Sequence, residues 1–265
     1  MCKFCLLPNF VMHTKRTMDR FITNYEGVSL WQATRSTVSD IVQFVIDENY
    51  KHHQGGVTHD DIYLKETFSV LMEELEMFDH SSTIVARDFM GEIVGVIRTT
   101  HWNNNPHKLP MQILFGEDIV TPSDLIACYQ HLWHIGRFAV KQEYSNKGVL
   151  FKLLMLYAIS PIFKYREGVL LAETDAKLLR VMQALSIEAR PLSTGREYIG
   201  SLTIPMMATK AGLTPFLLNN ISMAFDLHFE ELSHLLPERV KKPESEQNYP
   251  FGYCVNSKTT RTLPL

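Results

Sequence analysis

The chain has 265 residues, with 26 lysines and arginines against 29 aspartates and glutamates, and a formal net charge of −3. That length gives one large domain, or a domain with an appendage, ample material for a core. Near-balanced charge leaves no basic surplus for nucleic acid, and the longest apolar run, residues 149–159, is far shorter than the ~20 residues of a membrane span.

Residues 1–27 show no hydrophobic period and read as an N-terminal arm. Pro8 and Asn9 cut short any signal-like apolar run, so a cytoplasmic protein is expected. The four cysteines, Cys2, Cys5, Cys128 and Cys254, are too few and scattered for a disulfide framework. Cys2-x-x-Cys5 lacks the second pair of a zinc site and the strand-to-helix setting of a redox motif. Residues 28–33 read as a short strand. Thr37-x-x-Asp40 is a capping box for a helix with Val38, Ile41, Val42 and Val45 on one face. A loop with Gly55-Gly56 follows. Thr58 and Asp61 then cap a second helix whose inward face is Leu64, Phe68, Leu71, Leu75 and Phe78. His52, His53 and His59, like His131 with His134, have no supporting carboxylate pattern and read as solvated; no metal is expected.

Residues 82–89 and 92–101 are two strands joined at Met90-Gly91. Residues 102–110 form an asparagine- and proline-rich loop. Thr121, Pro122 and Asp124 open another helix, so residues 103–131 make an insertion of the kind that shapes a neighbouring site. Next come a strand (LWHIGRFAV), a polar loop (KQEYSNKG) and an apolar helix beginning at Gly148. The first amides of a helix have no partner within it and cradle an anion, and glycine lets a ligand approach closely. Residues 168–173 are a strand of the buried parallel type. Asp175 starts a helix with Leu178, Leu179, Val181, Met182 and Leu185 inward, and residues 187–192 and 196–204 are closing strands. From Thr214-Pro215 the chain turns helical, with Phe225, Phe229, Leu232 and Leu236 on one face. Beyond Pro237 it becomes charged.

WHIGRFAV, its loop and its helix resemble the acyl-donor motif of the GNAT acyltransferase superfamily. Within it they are most similar to the acyl-homoserine-lactone (autoinducer) synthases and the N-acyl amino acid synthases. Those have an acidic residue, two positions, then Arg-Phe on one strand; here His134 stands at the acidic position before Arg137 and Phe138. TIVARDFMGEIVGVIRTT resembles the family's preceding hairpin, and Arg98 falls at its arginine. The likeness covers residues 29–205 in order of elements. It implies an α/β (α+β) fold: a GNAT-like mixed, mostly antiparallel central sheet with a splayed central strand pair and helices on both faces. Residues 28–213 would be the acyltransferase domain and 214–265 a helical extension and tail.

The resemblance further implies an N-acyltransferase that moves an acyl group, with a fatty acyl chain expected, from a thioester to the amine of an amino acid or related small metabolite. The donor would be acyl-CoA or the phosphopantetheine of an acyl carrier protein, with no permanently bound cofactor. Phe138, Ala139 and Val140 would run along the donor, and Asn146, Lys147, Gly148, Val149 and Leu150 would hold its phosphate. Asn146 replaces the phosphate loop's first glycine, and the tyrosine proton donor of many acetyltransferases is missing near Met182, leaving Tyr198 as a substitute. Phe151, Leu154, Met155, Leu170 and Met182 would line an acyl pocket or simply fill the core. The alternatives are a coenzyme-A-dependent N-acetyltransferase and a non-catalytic acyl-thioester or lipid-binding module.

An attacking amine must lose a proton. His134 is the expected base and Glu173, near the end of its strand, the second candidate. Arg98 and Arg137 are expected to grip an acceptor carboxylate, unless they form internal ion pairs with Glu173 or Asp88. Side chains alternate along a strand, so His134 and Arg137 would face opposite sides unless a bulge at Gly136 intervenes.

Overall fold

The sheet begins earlier than residue 28. β1 (Arg20–Tyr25) pairs antiparallel with β2 (Val28–Gln32) through the two-residue turn Glu26-Gly27, whose φ angles are 46° and 81°. A two-residue turn with both φ positive matches the right-handed twist of paired strands, and a glycine at its second position favours it. This computed structural model describes residues 18–54, 59–102, 108–145, 148–198 and 201–226. All lie in the larger of the two units into which the chain divides. Cys2, Cys5, Cys254, Gly55, Gly56, Thr58, Asn146, Lys147, Phe229, Leu232, Leu236 and the charged tail fall outside the described residues.

The remaining strands are β3 (Ser81–Arg87), β4 (Ile93–His101), β5 (Leu132–Val140), β6 (Val169–Asp175), β7 (Arg190–Pro191), β8 (Arg196–Tyr198) and β9 (Ser201–Thr209). They form one sheet in the order β1-β2-β3-β4-β5-β6-β9-β7, with β8 also on β9. Among the described residues, only β5–β6 is a parallel pair. It is joined by the crossover helix that parallel strands require. The expected strand at 196–204 is in fact a hairpin, β8 followed by β9. β9 is the long closing strand, paired with β6 from Thr203 to Thr209.

Helices cover both faces. α1 (Val38–Gln54) and α2 (Asp61–Met77) pack on one: Ile41 and Val45 of α1 meet Val85, Val96 and Ala139 of the sheet, and Tyr63 and Val70 of α2 pack against Val38, Val42, Ile46 and Tyr50 of α1. The insertion adds α3 (Pro110–Phe115) and α4 (Pro122–Tyr129) to the same face, where Leu109, Met111 and Val120 meet Leu132, Val169 and Leu171. The loop after β5 contains a single helical turn, α5 (Gln142–Ser145). α6 (Val149–Phe163), α7 (Ala176–Ala184) and α8 (Lys210–Asn219) cover the other face, and α9 (Ile221–Asp226) follows. α6 is apolar nearly all round because it is buried nearly all round, as the core of a crossover unit must be.

Four expectations need correcting. The hydroxyl of Thr37 does not cap α1; it donates to Asp19 at 2.5 Å. The cap of α2 is Asp60, which accepts from the Tyr63 N–H at 2.8 Å. The inward face of α2 is also different: Tyr63, Val70, Glu74 and Met77 are buried, while Leu64 and Phe68 are exposed. On α7, Leu179 and Met182 are buried as expected, whereas Val181 is exposed.

Asp19 ties the first strand to the entry of α1. Its carboxylate accepts from the Thr34 N–H at 2.9 Å, from the hydroxyls of Thr34 and Thr37, and from Arg87 at 2.9 Å. Burial pushes its pKa up, but the bonds from Thr37, Thr34 and Arg87 outweigh this and hold it below the usual carboxylate value. A depressed folded-state pKa gives stability that is present above the unfolded value and lost as pH falls through the folded one. Asp19→Asn should therefore be less stable than the wild type by about 1–3 kcal/mol at neutral pH, with the gap closing in acid. Denaturant melts across pH measure this; a gap that persists in acid would contradict it.

Candidate active site

The site is built on an irregularity in β5. Gly136 pairs with Arg98 and Ala139 with Val96, so two residues, Arg137 and Phe138, oppose Ile97 alone. This is a β-bulge, and Arg137 sits in it with φ 53°. A non-glycine residue in that left-handed region costs roughly 1–2 kcal/mol. The extra residue resets the alternation of side chains. Trp133 and Ile135 point into the core with α6, and Phe138 and Val140 pack against that same core. Arg137 thereby joins His134 on the face of α1 and α2. The bulge expected from Gly136 exists, one residue on.

Gly136 is needed for space. A Cβ there would stand 2.9 Å from Nη2 of Arg98 and 3.3 Å from Cε1 of His134. The fully buried Arg98 guanidinium thus lies across the strand at its one residue without a side chain.

Both arginines are paired with α2. Arg98 Nη1 donates to Glu74 Oε1, and Arg137 Nε donates to the same oxygen at 2.6 Å. Arg137 Nη2 lies 2.6 Å from Glu73 Oε2 as an ion pair without hydrogen-bond alignment, and Arg98 Nη2 lies 3.8 Å from Glu73 Oε1. Burial alone would lower the Arg137 pKa; Glu74 and Glu73 raise it above the usual arginine value. The internal partners are therefore Glu73 and Glu74, and neither was visible as a site residue in the sequence. One signal pointed to Glu74: it follows Tyr63 and Val70 at helical spacing on the buried stripe, where a carboxylate must find a cation. Placing Leu64 and Phe68 inward hid it.

His134 Nε2 lies 2.9 Å from Glu173 Oε2. His134 is completely buried, contrary to a solvated histidine, and the Trp102 ring meets it edge-on at 5.6 Å. The Glu173 side chain is 14% exposed against 1% for His134, so Glu173 is the more accessible of the two. Burial pushes the Glu173 carboxyl up; the charge and hydrogen bond of His134, with Arg98 and Arg137 beyond, bring it below the usual carboxylate value. His134 Nδ1, Glu173 Oε1 and Thr100 Oγ1 are buried atoms without a hydrogen-bond partner among the described residues. Tyr198 stands near Arg137 and Glu73, and burial raises its pKa against the opposing charge of Arg137. His131 is half-buried. Its ring lies 3.7 Å from that of Tyr165, and its Nδ1 is 3.2 Å from His101 Nε2.

Two connected hollows meet at this cluster. β5 and β6 pair only from Leu132–Val169 to Ile135–Ala172, although both strands continue. Where they part, a cavity of about 300 Å³ opens. Glu73, His134, Arg137 and Tyr198 line its polar side; Met155, Leu170 and Met182 line its apolar side. Ile113 and Leu114, from the insertion, also border it, and Arg196 bonds the Leu114 carbonyl at 3.0 Å. A wider groove of about 740 Å³ shares Phe138 and Leu178 with it. Ala139, Val140, Gly148 and Phe151 line that groove, with Lys177 and Arg180 on α7. Gly148 has φ 62° and is the N-cap of α6, so the helix's first amides, from Val149 and Leu150, open beside the groove. Leu154 lies in the core.

The family model of the N-acyl amino acid synthase FeeM matches residues 46–209. The chain belongs to that family. It is an N-acyltransferase, and the matched span holds Glu73, Glu74, Arg98, His134, Arg137, Glu173 and Tyr198 of the cluster. Among solved structures, the chain is similar to FeeM, an N-acyl amino acid synthase from uncultured soil microbes, at 13% identity over 73% of this chain and 97% of that one, TM-score 0.48. It is also similar to TofI in a ternary complex with an inhibitor and MTA (14% identity, 71% and 95%, TM-score 0.47). A third is the ribosomal-protein-S5-alanine acetyltransferase from Vibrio fischeri (14%, 73% and 96%, TM-score 0.43). No curated protein sequence matches the chain. Among the described residues, no helix is long and apolar enough to cross a membrane.

The acyltransferase depends on the empty space over Gly136. Gly136→Ala should displace the Arg98 guanidinium, lower stability by about 1–3 kcal/mol as overpacked cores do, and reduce turnover. Thermal melts and initial rates check this; a wild-type melting temperature with wild-type turnover would contradict it.

Proposed function

We propose that the enzyme transfers a fatty acyl group from a phosphopantetheine thioester to the amine of an amino acid or related small metabolite. The thioester carbonyl sits where β5 and β6 part, and the His134–Glu173 pair receives the amine's proton. The supporting observation is this pair itself, held at 2.9 Å at the mouth of the strand gap with Glu173 Oε1 unpartnered. The attacking nitrogen forms its bond to the thioester carbon, the carbon–sulfur bond breaks, and the thiolate departs. Glu173, ionised and facing the cavity, accepts the proton; His134 behind it holds the carboxylate in place and shares the proton. The main-chain amides freed by the parting of the strands suit the oxyanion. Tyr198, beside Arg137, is the candidate to return a proton to the thiolate.

The donor's pantetheine arm follows Phe138, Ala139 and Val140, and its phosphate meets the α6 amides of Val149 and Leu150 beyond Gly148. Coenzyme A and the prosthetic arm of an acyl carrier protein both present a phosphate there; Lys177 and Arg180 at the rim favour either. The apolar end lined by Met155, Leu170 and Met182 favours a long acyl chain over an acetyl group.

Glu173→Gln and His134→Gln should each lower single-turnover acyl transfer by ~10²–10⁴. The double variant should lose little more, because the two act as one unit. Circular dichroism checks folding; additive losses, or a wild-type rate in either single variant, would contradict the shared role. Separately, Gly148→Val forces a branched residue into the left-handed region, an added strain of roughly 1–2 kcal/mol, beside the phosphate site. It should weaken donor binding in calorimetry; unchanged affinity would rule out that phosphate position.

A further inference from the structure

The wider groove has a carboxylate in its wall. Glu48 of α1 is 2% exposed, and it lines the groove together with Val140 and Gly148. A buried carboxylate needs partners, and each oxygen of Glu48 has one. Oε1 accepts from Lys51 Nζ at 2.7 Å, and Oε2 accepts from the backbone N–H of Gln142 at 3.2 Å. His52 Nε2 lies 4.0 Å from Oε2. The bond to Glu48 raises the Lys51 pKa above the usual lysine value, against the pull of burial.

The Lys51 contact is local, one turn along α1. The Gln142 contact is not. Gln142 is the first residue of α5, the single turn between the donor strand and α6. The first N–H groups of a helical turn have no partner within it, and the side chain just before the turn commonly caps one of them. Here that side chain is Lys141, and an ammonium has no acceptor to offer. Its Nζ lies 3.9 Å from Glu143 instead. The cap comes from Glu48, 94 residues earlier in the chain. Two other contacts hold the same corner to the sheet: the Lys141 N–H donates to the Val94 carbonyl at 2.9 Å, and Tyr144 packs on the core. Beyond the corner is Gly148, where α6 opens its amides beside the groove.

We infer that Glu48 is a positioning residue for the donor: it caps α5 from α1, and so holds the Val149 and Leu150 amides where they meet the donor's phosphate. This rests on the donor site proposed above and deepens it. Glu48 touches no reacting atom. The Lys51 ammonium offsets its negative charge beside an anionic ligand.

Calorimetry on the full chain with two inert ligands tests the inference. One is the dodecyl thioether of coenzyme A; the other is the dodecyl thioether of pantetheine, which lacks the phosphate. Glu48→Ala should weaken the first about tenfold, the scale of one hydrogen bond to a charged group, and leave the second within about threefold of wild type. Gln142→Pro removes the same bond from its other end, at the first helical position, where proline is tolerated. It should give the same selective loss. The double variant Glu48→Gln/Lys51→Met keeps an acceptor for the Gln142 N–H and removes the cation that competes for it, so it should recover most of the affinity. Circular dichroism checks folding; where Glu48→Ala does not fold, Gln142→Pro decides, since it leaves the carboxylate in place. Equal loss of both ligands, wild-type affinity for both, or a selective loss in Glu48→Ala that Gln142→Pro does not share, overturns the inference and leaves the donor site standing. A wild-type protein that binds neither thioether contradicts the donor site itself, and the inference with it.

Discussion

Everything in the site depends on one extra residue in β5. A strand presents alternate side chains to opposite faces, and by that rule Arg137 would enter the apolar core beneath α6. The bulge at Arg137 and Phe138 moves the guanidinium to the face of α1 and α2, beside His134, and returns Phe138 to the α6 side. The same distortion falls at the point where β5 leaves β6, so the polar cluster and the opening through the sheet share one origin. A left-handed arginine is a strained way to make a bulge. Its cost is offset by the ion pairs that only this conformation permits.

Those ion pairs are buried and interdependent. Glu74 accepts from two arginines at one oxygen, and both arginine side chains are largely or wholly withdrawn from water. Removing one partner of a buried pair typically costs about 3–5 kcal/mol, because it strands the other charge. The network therefore fixes α2 against β4 and β5, and it leaves Glu173 Oε1 without a hydrogen-bond partner among the described residues at the edge of the cavity. A group held this firmly meets a substrate already in place, which is how a preorganised site lowers a barrier.

Much of the fold was legible in the sequence. The apolar helix after Gly148, the parallel strand at 169–175 and the hairpin around Gly91 each carry their own pattern of period and turn residues. β1 escaped because none of its side chains is buried, so no apolar alternation marks it. The face of α2 was misread for the opposite reason: Leu64 and Phe68 keep helical spacing yet point to solvent, while a glutamate lies inward. His134, Arg98 and Arg137 stood out on their motif. The glutamates that decide what the arginines do lie on a helix far away in sequence, and only tertiary packing brings them there. The insertion was recognised as a site-shaping segment, but not which of its residues, Ile113 and Leu114, reach the cavity.

The central claim is that the parting of β5 and β6 is the donor's seat, with the base on one side of the sheet and the acyl chain on the other. A crystal structure of the full chain with a thioether analogue of decanoyl-pantetheine, which binds but cannot transfer, tests this directly. The account predicts the sulfur between Phe138 and Leu178, the adjoining carbon within reach of Glu173 through the acceptor's nitrogen, and the chain running between Met155 and Met182. An analogue seated on the α1 side of the sheet, or outside the gap altogether, would contradict it.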